Sequence, residues 1–422
     1  MKEFKFPEKE EWGNILKRPT SDIADIEDKV IPILEEVRLN GDEALRKFAL
    51  SFDNILLNEF EVASAEIDSA EAKLSKELKE AIQVAKNNIT QFHQAQIQDP
   101  VIIETMPGVQ CWRKSVGIQK VGIYIPGGTA PLFSTVLMLG IPAKLAGCEE
   151  IILCSPSNHP AILYAAKLVG VTRVFRVGGA QAVAAMAYGT QSIPQVYKIF
   201  GPGNQFVTAA KQLVSKEGVA IDMPAGPSEV AVFADDTAVP SFVAADLLSQ
   251  AEHGYDSQVV MVTTSDTFLL KVKEEVSRQL EELPRKDFAS KSLENSKAIL
   301  VKDRREGVEI LNEYAAEHLI LSVENAEEIS EQIVNAGSIF LGNYTPESCG
   351  DYASGTNHTL PTNGFAKAYS GVSLDSFVKK ITYQKITKEG LVNLGPHVQE
   401  MAESESLQGH ANAVKVRLDS IK

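Results

Sequence analysis

The side chains best suited to chemistry in this 422-residue chain lie in its second half. Gln250 and His253 close the segment Leu247-Leu248-Ser249-Gln250-Ala251-Glu252-His253-Gly254, which reads as the last turns of a helix stopped by Gly254. Three apart on a helix, they share a face, and a carboxamide oxygen beside an imidazole nitrogen can form half of a metal site. The same pair also suits an ordinary helix end, with a solvated Gln and a His favoured by the helix dipole. Asp351, with His358 seven residues on, and His410, five residues after Glu405, extend the inventory. A Gln/His/Asp/His set of N and O donors suits a zinc-like ion and leaves room for a substrate. Dispersed ligands are, however, hard to tell from surface residues. Glu317-His318 is a separate case. Adjacent strand residues point to opposite faces, but at a strand end both can reach one cleft. The His can take a proton near neutral pH and the Glu can activate water. One buried and one exposed residue of an ordinary strand is the alternative.

Composition bounds the setting for these groups. Hydrophobic content of 44% and charged content of 23% are those of a globular protein, and the length exceeds one ordinary core, so two or more domains are expected. Net charge is 41 − 56 = −15. Without a basic cluster, a phosphate-backbone partner is not expected. No apolar run approaches a membrane span, and Met1-Lys2-Glu3-Phe4-Lys5-Phe6-Pro7 has no apolar export core. Cys111, Cys148, Cys154 and Cys349 show no CxxC spacing. They suggest a reducing cytoplasm without disulfides and argue against a paired-cysteine zinc site.

The elements that must position the polar residues follow from periodicity. Residues 1 to about 98 read as mostly helical: Asp22–Arg38, with Pro32 kinking or splitting it, Glu43–Phe52 after Asn40-Gly41-Asp42, and Ser75–Gln96, whose His93 is expected at or near the surface. Val101–Met106 and Val109–Val116 flank Pro107-Gly108 as a hairpin. A strand–helix rhythm then runs to about Ser228. Its strands are Val121–Ile125, Glu150–Cys154, Arg173–Val177 and Val196–Phe200. It resumes with Glu229–Phe233, Gln258–Thr263, Ala298–Val301, His318–Leu321 and Ser338–Leu341. Alternation of this kind predicts βαβ units and parallel sheets. Three turns are glycine-rich: Pro126-Gly127-Gly128-Thr129, Val177-Gly178-Gly179-Ala180-Gln181 and Gly201-Pro202-Gly203-Asn204-Gln205. Such turns gather at the carboxyl ends of parallel strands and can admit a phosphate. None is GxGxxG, so a nucleotide site and plain tight turns both remain open. Asp351–Pro361 reads as a loop, and from about Leu374 a tail ends in a helix over Ser404–Leu418.

Taken together, several segments resemble the histidinol dehydrogenase family. They are Ile123-Tyr124-Ile125-Pro126-Gly127-Gly128, Gly201-Pro202-Gly203-Asn204, Met223-Pro224-Ala225-Gly226-Pro227-Ser228-Glu229, the segment Leu247–Gly254, Glu313–Leu319 and Gly350–Thr362. The likeness runs from about residue 20 to about residue 418 in the family's order. It implies an α/β protein with two Rossmann-like open parallel-sheet domains and atypical dinucleotide binding. A helical N-terminal segment and a small swapped C-terminal tail would complete it, with residues 1–123 plus 228–372, 124–227 and 373–422 as the three parts. It also implies NAD+-dependent oxidation of L-histidinol to L-histidine through L-histidinal, in two hydride transfers, by a cytoplasmic homodimer with shared sites. One Zn2+ per subunit would be held by Gln250, His253, Asp351 and His410. Glu317 and His318 match the catalytic pair. Ser228, His318 and Glu405 would contact substrate together with the metal ligands, and Tyr124, Gln181 and Asn204 would contact NAD+. His410 would reach the neighbouring subunit's site. A metal-dependent hydrolase or lyase using Glu317 and His318 on the same frame is the competing reading.

Overall fold

The computed structural model describes residues 1–19, 23–53, 56–128 and 130–421. Asp22 and Thr129 of the segments above lie outside them. The strands in chain order are β1 (Lys2–Lys5), β2 (Ile103–Met106), β3 (Val109–Gly117), β4 (Lys120–Tyr124), β5 (Glu150–Cys154), β6 (Arg173–Phe175), β7 (Lys198–Phe200), β8 (Ala220–Ile221), β9 (Glu229–Ala234), β10 (Gln258–Thr263), β11 (Lys297–Leu300), β12 (His318–Ser322), β13 (Ser338–Leu341) and β14 (Val378–Ile386).

Two parallel sheets carry the fold. A six-stranded sheet runs β1-β11-β10-β9-β12-β13, and a five-stranded sheet runs β6-β5-β4-β7-β8. Leaving β1 aside, each begins with its central strand and follows the same 3-2-1-4-5 order of a dinucleotide-binding fold. Strands such as Glu229-Val230-Ala231-Val232-Phe233-Ala234 are buried at every position, as a parallel sheet covered on both faces requires. Alternation still sorts the side chains: Ala231 and Phe233 join the core around Trp12, Ile310 and Leu321. Val230, Val232 and Ala234 face the opposite core of Leu247, Leu248 and Phe268.

The N-terminal region is mostly helical, with one addition. β1 pairs in parallel with β11, a strand that a helical reading of the region omits. The helix Ile23–Asn40 continues through Pro32 rather than splitting. It packs on the helices Gly179–Tyr188 and Gln205–Ser215, while Lys76–Gln94 packs on Phe133–Leu145. His93 is not near the surface: it is fully buried, with Nδ1 2.8 Å from the Ile89 carbonyl. Its placement follows from the neighbouring helix covering that face.

The hairpin β2/β3 forms as expected, and its turn needs Gly108 at φ +79°. The tail differs from the sequence expectation. Residues 378–386 form β14, which pairs antiparallel along all of β3. Two helices follow, Lys388–Ser404 and Gln408–Asp419, rather than one, with Ser406 at φ +58° between them. They pack on each other, Gly395 giving room to Val414 and Leu418. Val392, Met401, Leu407 and Val416 remain exposed on this arm. Among the described residues no helix is long and apolar enough to cross a membrane.

Candidate active site

The topology delivers the polar residues to the amino edge of the six-stranded sheet. Ser228 immediately precedes β9, and His318 opens β12, paired with Val230 of β9. The helix Pro240–Ala251 runs back from the end of β9, so its last turn brings Gln250 and then His253 to the start of β10. Asp351 arrives on a short helix, Glu347–Tyr352, after β13. Glu317 and His318 are therefore at a strand end, and both are buried, at 6% and 3% exposure. Of the two arrangements open from sequence, the structure has both side chains buried together, His318 Nδ1 3.7 Å from Glu317 Oε2.

The centre of the site is the His318 ring. Its Nε2 lies 3.2 Å from Asp351 Oδ1. Its Nδ1 is 3.7 Å from Glu317 Oε2 and 3.8 Å from Glu347 Oε1, and has no hydrogen-bond partner. Glu317 Oε2 accepts from the Glu229 backbone N–H at 3.0 Å. Glu229 is in turn held by the Arg18 guanidinium, which stacks on Tyr314. The Gln250 side chain is fully buried. Its amide nitrogen donates to Glu347 Oε1 and its oxygen accepts from the Glu229 N–H at 3.1 Å, the only orientation that satisfies both ends.

Burial sets the protonation of this cluster. It pushes the Glu317 carboxyl up to about 8, opposed chiefly by His318, and pushes Glu347 up to about 8 as well. For His318, burial acts downward but is outweighed by Glu347, Glu317 and Asp351, which raise it to about 10. Asp351 is held low against the cost of its burial by the bond to His318. His253 keeps an exposed edge, yet the protein packed around it excludes enough water to lower its pKa. His358 is lowered by burial too. Both imidazoles thus favour the neutral form that binds metals.

These features fit a cation. His318, Glu347 and Asp351 bring ligand atoms within 4.8 Å of one another. Each buried ion costs several kcal/mol when uncompensated, and three carboxylates here face one imidazole. Glu347 Oε2, like His318 Nδ1, is buried without a partner. Asp351 belongs both to this cluster and to the ligand set implied by the resemblance. Gln250 touches the cluster through Glu347, and His253 lies near enough to feel the charges of Asp351 and His318. Glu405 and His410 do not join it: both are exposed, at the junction of the two arm helices.

The residues expected at a cofactor lie on the other sheet, at its carboxyl edge. Tyr124 ends β4, and Asn204 caps the helix after β7, accepting from the Phe206 and Val207 N–H groups. β4 and β7 are neighbours, and the chain crosses to opposite sides between them, which is the point where such sheets bind ligands. Gln181 lies in the first turn of Gly179–Tyr188, and the Tyr124 hydroxyl accepts from the Gly179 N–H at 3.1 Å. The turn after β7 is clamped by a buried ion pair between Lys211 and Asp222. Lys211 donates to the Gly201 carbonyl and Asp222 accepts from the Gly201 N–H, each at 2.8 Å. An added Cβ at Gly201 would collide with the Tyr124 carbonyl, so the two strand ends meet only because residue 201 is glycine.

Several residues that shape the site escape a reading of spacing, wholly or in their role. Spacing to Asp351 names His358, but not its role: its Nε2 meets the Thr135 hydroxyl at 3.0 Å and its Nδ1 the Asp351 carbonyl at 2.8 Å. Both nitrogens are committed, so this histidine braces the Asp351 segment. Glu347 is another. Four residues before Asp351 on a helix, it shares a face with it. The spacing was available, but a loop reading of the segment from Asp351 hides it.

Residues 16–418 match the histidinol dehydrogenase family. The chain is 60% identical to the histidinol dehydrogenase of Bacteroides thetaiotaomicron over 427 residues, covering all of both chains. It is 51% identical to that of Escherichia coli over 417 residues, or 98% of this chain and 96% of the relative. The crystal structure of the Elizabethkingia anophelis histidinol dehydrogenase superposes with a TM-score of 0.97 at 53% identity, covering 100% of this chain and 98% of that one. These matches leave the hydrolase or lyase reading without support. The chain belongs to the histidinol dehydrogenase family.

Proposed function

We propose that this protein oxidises L-histidinol to L-histidine through L-histidinal, passing a hydride to NAD+ in each of two steps. Family membership makes the chain an oxidoreductase acting on a small molecule. The observation that carries the rest is the Glu317–His318 pair, buried together at one strand end beside Asp351. An alcohol carbon releases hydride readily only as its hydroxyl proton leaves. His318 takes that proton through Nε2, the nitrogen on the Asp351 side. The aldehyde must then be hydrated before a second hydride can leave. Glu317, whose carboxyl is poised at about 8, takes a proton from the attacking water, and His318 deprotonates the hydrate.

Bound NAD+ supplies the electron sink for both steps. Zn2+, one per subunit, would be held by Gln250, His253, Asp351 and a His410 from a second copy, and would fix the substrate's amine and imidazole beside the base. His318 must be neutral to act. Positive charge drawn to Asp351 relieves the carboxylate field that keeps the ring protonated. Ser228 and Glu405 complete the substrate contacts, and Tyr124, Gln181 and Asn204 those to NAD+.

The arm supports a homodimer with shared sites. It carries Glu405 and His410 away from the cluster, and it exposes Val392, Met401, Leu407 and Val416. The four free cysteines suit the reducing cytoplasm. Near-ultraviolet absorbance on adding histidinol tests the reading: two NADH per histidinol are expected, lost on chelation and restored by zinc. No NADH from metal-replete protein would refute it.

A further inference from the structure

Glu317 and His318 account for the proton transfers but leave one buried carboxylate without a task. Glu347 is 2% exposed and sits between two groups of the site. On one side its Oε1 accepts from the Gln250 amide. On the other the same Oε1 lies 3.8 Å from His318 Nδ1. Its Oε2 and that Nδ1 are both buried and both without a hydrogen-bond partner. With Oε1 already bonded to Gln250, the unpaired Nδ1 and Oε2 become a hydrogen bond when the carboxylate turns as the site tightens around substrate. Such bonds are often long in the free enzyme.

Three carboxylates surround the ring, and their existing bonds divide the work. Asp351 occupies the Nε2 side. Glu317 is already engaged by the Glu229 N–H, and it is the group needed for water. Glu347 keeps one oxygen, Oε2, buried and without a partner. We propose that Glu347 is a positioning residue that joins the two halves of the site. It takes the Gln250 amide nitrogen, which fixes the carboxamide with its oxygen beside the Glu229 N–H and one lone pair of that oxygen left for the metal. It also takes the His318 Nδ1 proton as a hydrogen bond, leaving the Nε2 lone pair for substrate. The inference rests on the histidinol dehydrogenase reading above.

Glu347→Gln and Glu347→Ala separate the two contacts. The Gln carbonyl can still accept from Gln250 but carries no charge to orient the imidazole. For Glu347→Gln, kcat should fall about 10–100-fold with the KM for histidinol nearly unchanged, and zinc retention against a chelator should match wild type. For Glu347→Ala, zinc should also be lost about 10–100-fold more readily, read by chelator competition without turnover. Glu347→Asp should recover part of both. If Glu347→Ala does not fold, Glu347→Gln with its rescue by Glu347→Asp decides. A Glu347→Gln enzyme with wild-type kcat overturns the proposal while the function stands. Failure of the wild-type protein to oxidise histidinol in the same assay overturns both.

Discussion

The two parallel sheets share one strand order and carry their candidate site residues at opposite ends. In the five-stranded sheet the residues expected at NAD+ lie at the carboxyl edge, Tyr124 ending β4 and Asn204 following β7 where strand order reverses, with Gln181 following β6. In the six-stranded sheet the polar cluster precedes β9, β10 and β12, at the amino edge. The first edge is built from glycine turns and helix starts, which offer backbone N–H groups. The second is built from a helix end and strand starts, which here offer imidazole and carboxylate side chains. Strand order alone therefore does not locate chemistry. Under the proposed function, the carboxyl edge of one sheet would present the electron carrier and the amino edge of the other the acid–base groups.

The sharpest way to break this division is at Glu317. Glu317→Gln should lower histidinal oxidation about 10²–10⁴-fold while sparing histidinol oxidation to histidinal far more; equal losses in single-turnover measurements of the two steps would remove its role with water. Next in size is subunit mixing. Inactive His253→Ala and inactive His410→Ala proteins, unfolded and refolded together, should regain about a quarter of wild-type activity, as random pairing of a two-fold dimer gives. No recovery would mean that each chain completes its own amino-edge site. The smallest effect is at the carboxyl edge. Asn204→Ala should raise the KM for NAD+ about 10-fold, leave that for histidinol little changed, and cost about 1 kcal/mol of stability through the lost helix cap. A shift in the histidinol KM alone would blur the separation between the edges.

Much of this arrangement was legible in the sequence where period and punctuation agree. The strands near 121–125, 150–154, 229–233 and 258–263 read out because buried parallel strands are short continuous apolar runs between glycine turns. β1 was not legible: Lys2-Glu3-Phe4-Lys5 has mostly exposed side chains and is a strand because β11 offers an open edge. β14 escaped for a related reason. Lys379, Lys380 and Lys385 break its apolar pattern, and its pairing with β3 spans more than 260 residues of chain. At the site, Glu317 and His318 could be named from type and adjacency, but their common burial depended on the strand beginning at His318. Glu347 is hidden by a loop reading of its helix, and the clamp of Lys211 and Asp222 depends on how the turn after β7 folds back on the helix that follows, which apolar periodicity does not report.

His358 gives the two edges a mechanical relation. One ring nitrogen holds Thr135, in the first turn of the helix that follows β4, and the other holds the backbone of Asp351. The helix that leads away from the cofactor edge and the segment that carries a central carboxylate are thus tied through a single imidazole. Any displacement of the start of that helix therefore bears on the anchor of Asp351. The alignment of the two edges thus depends on one side chain.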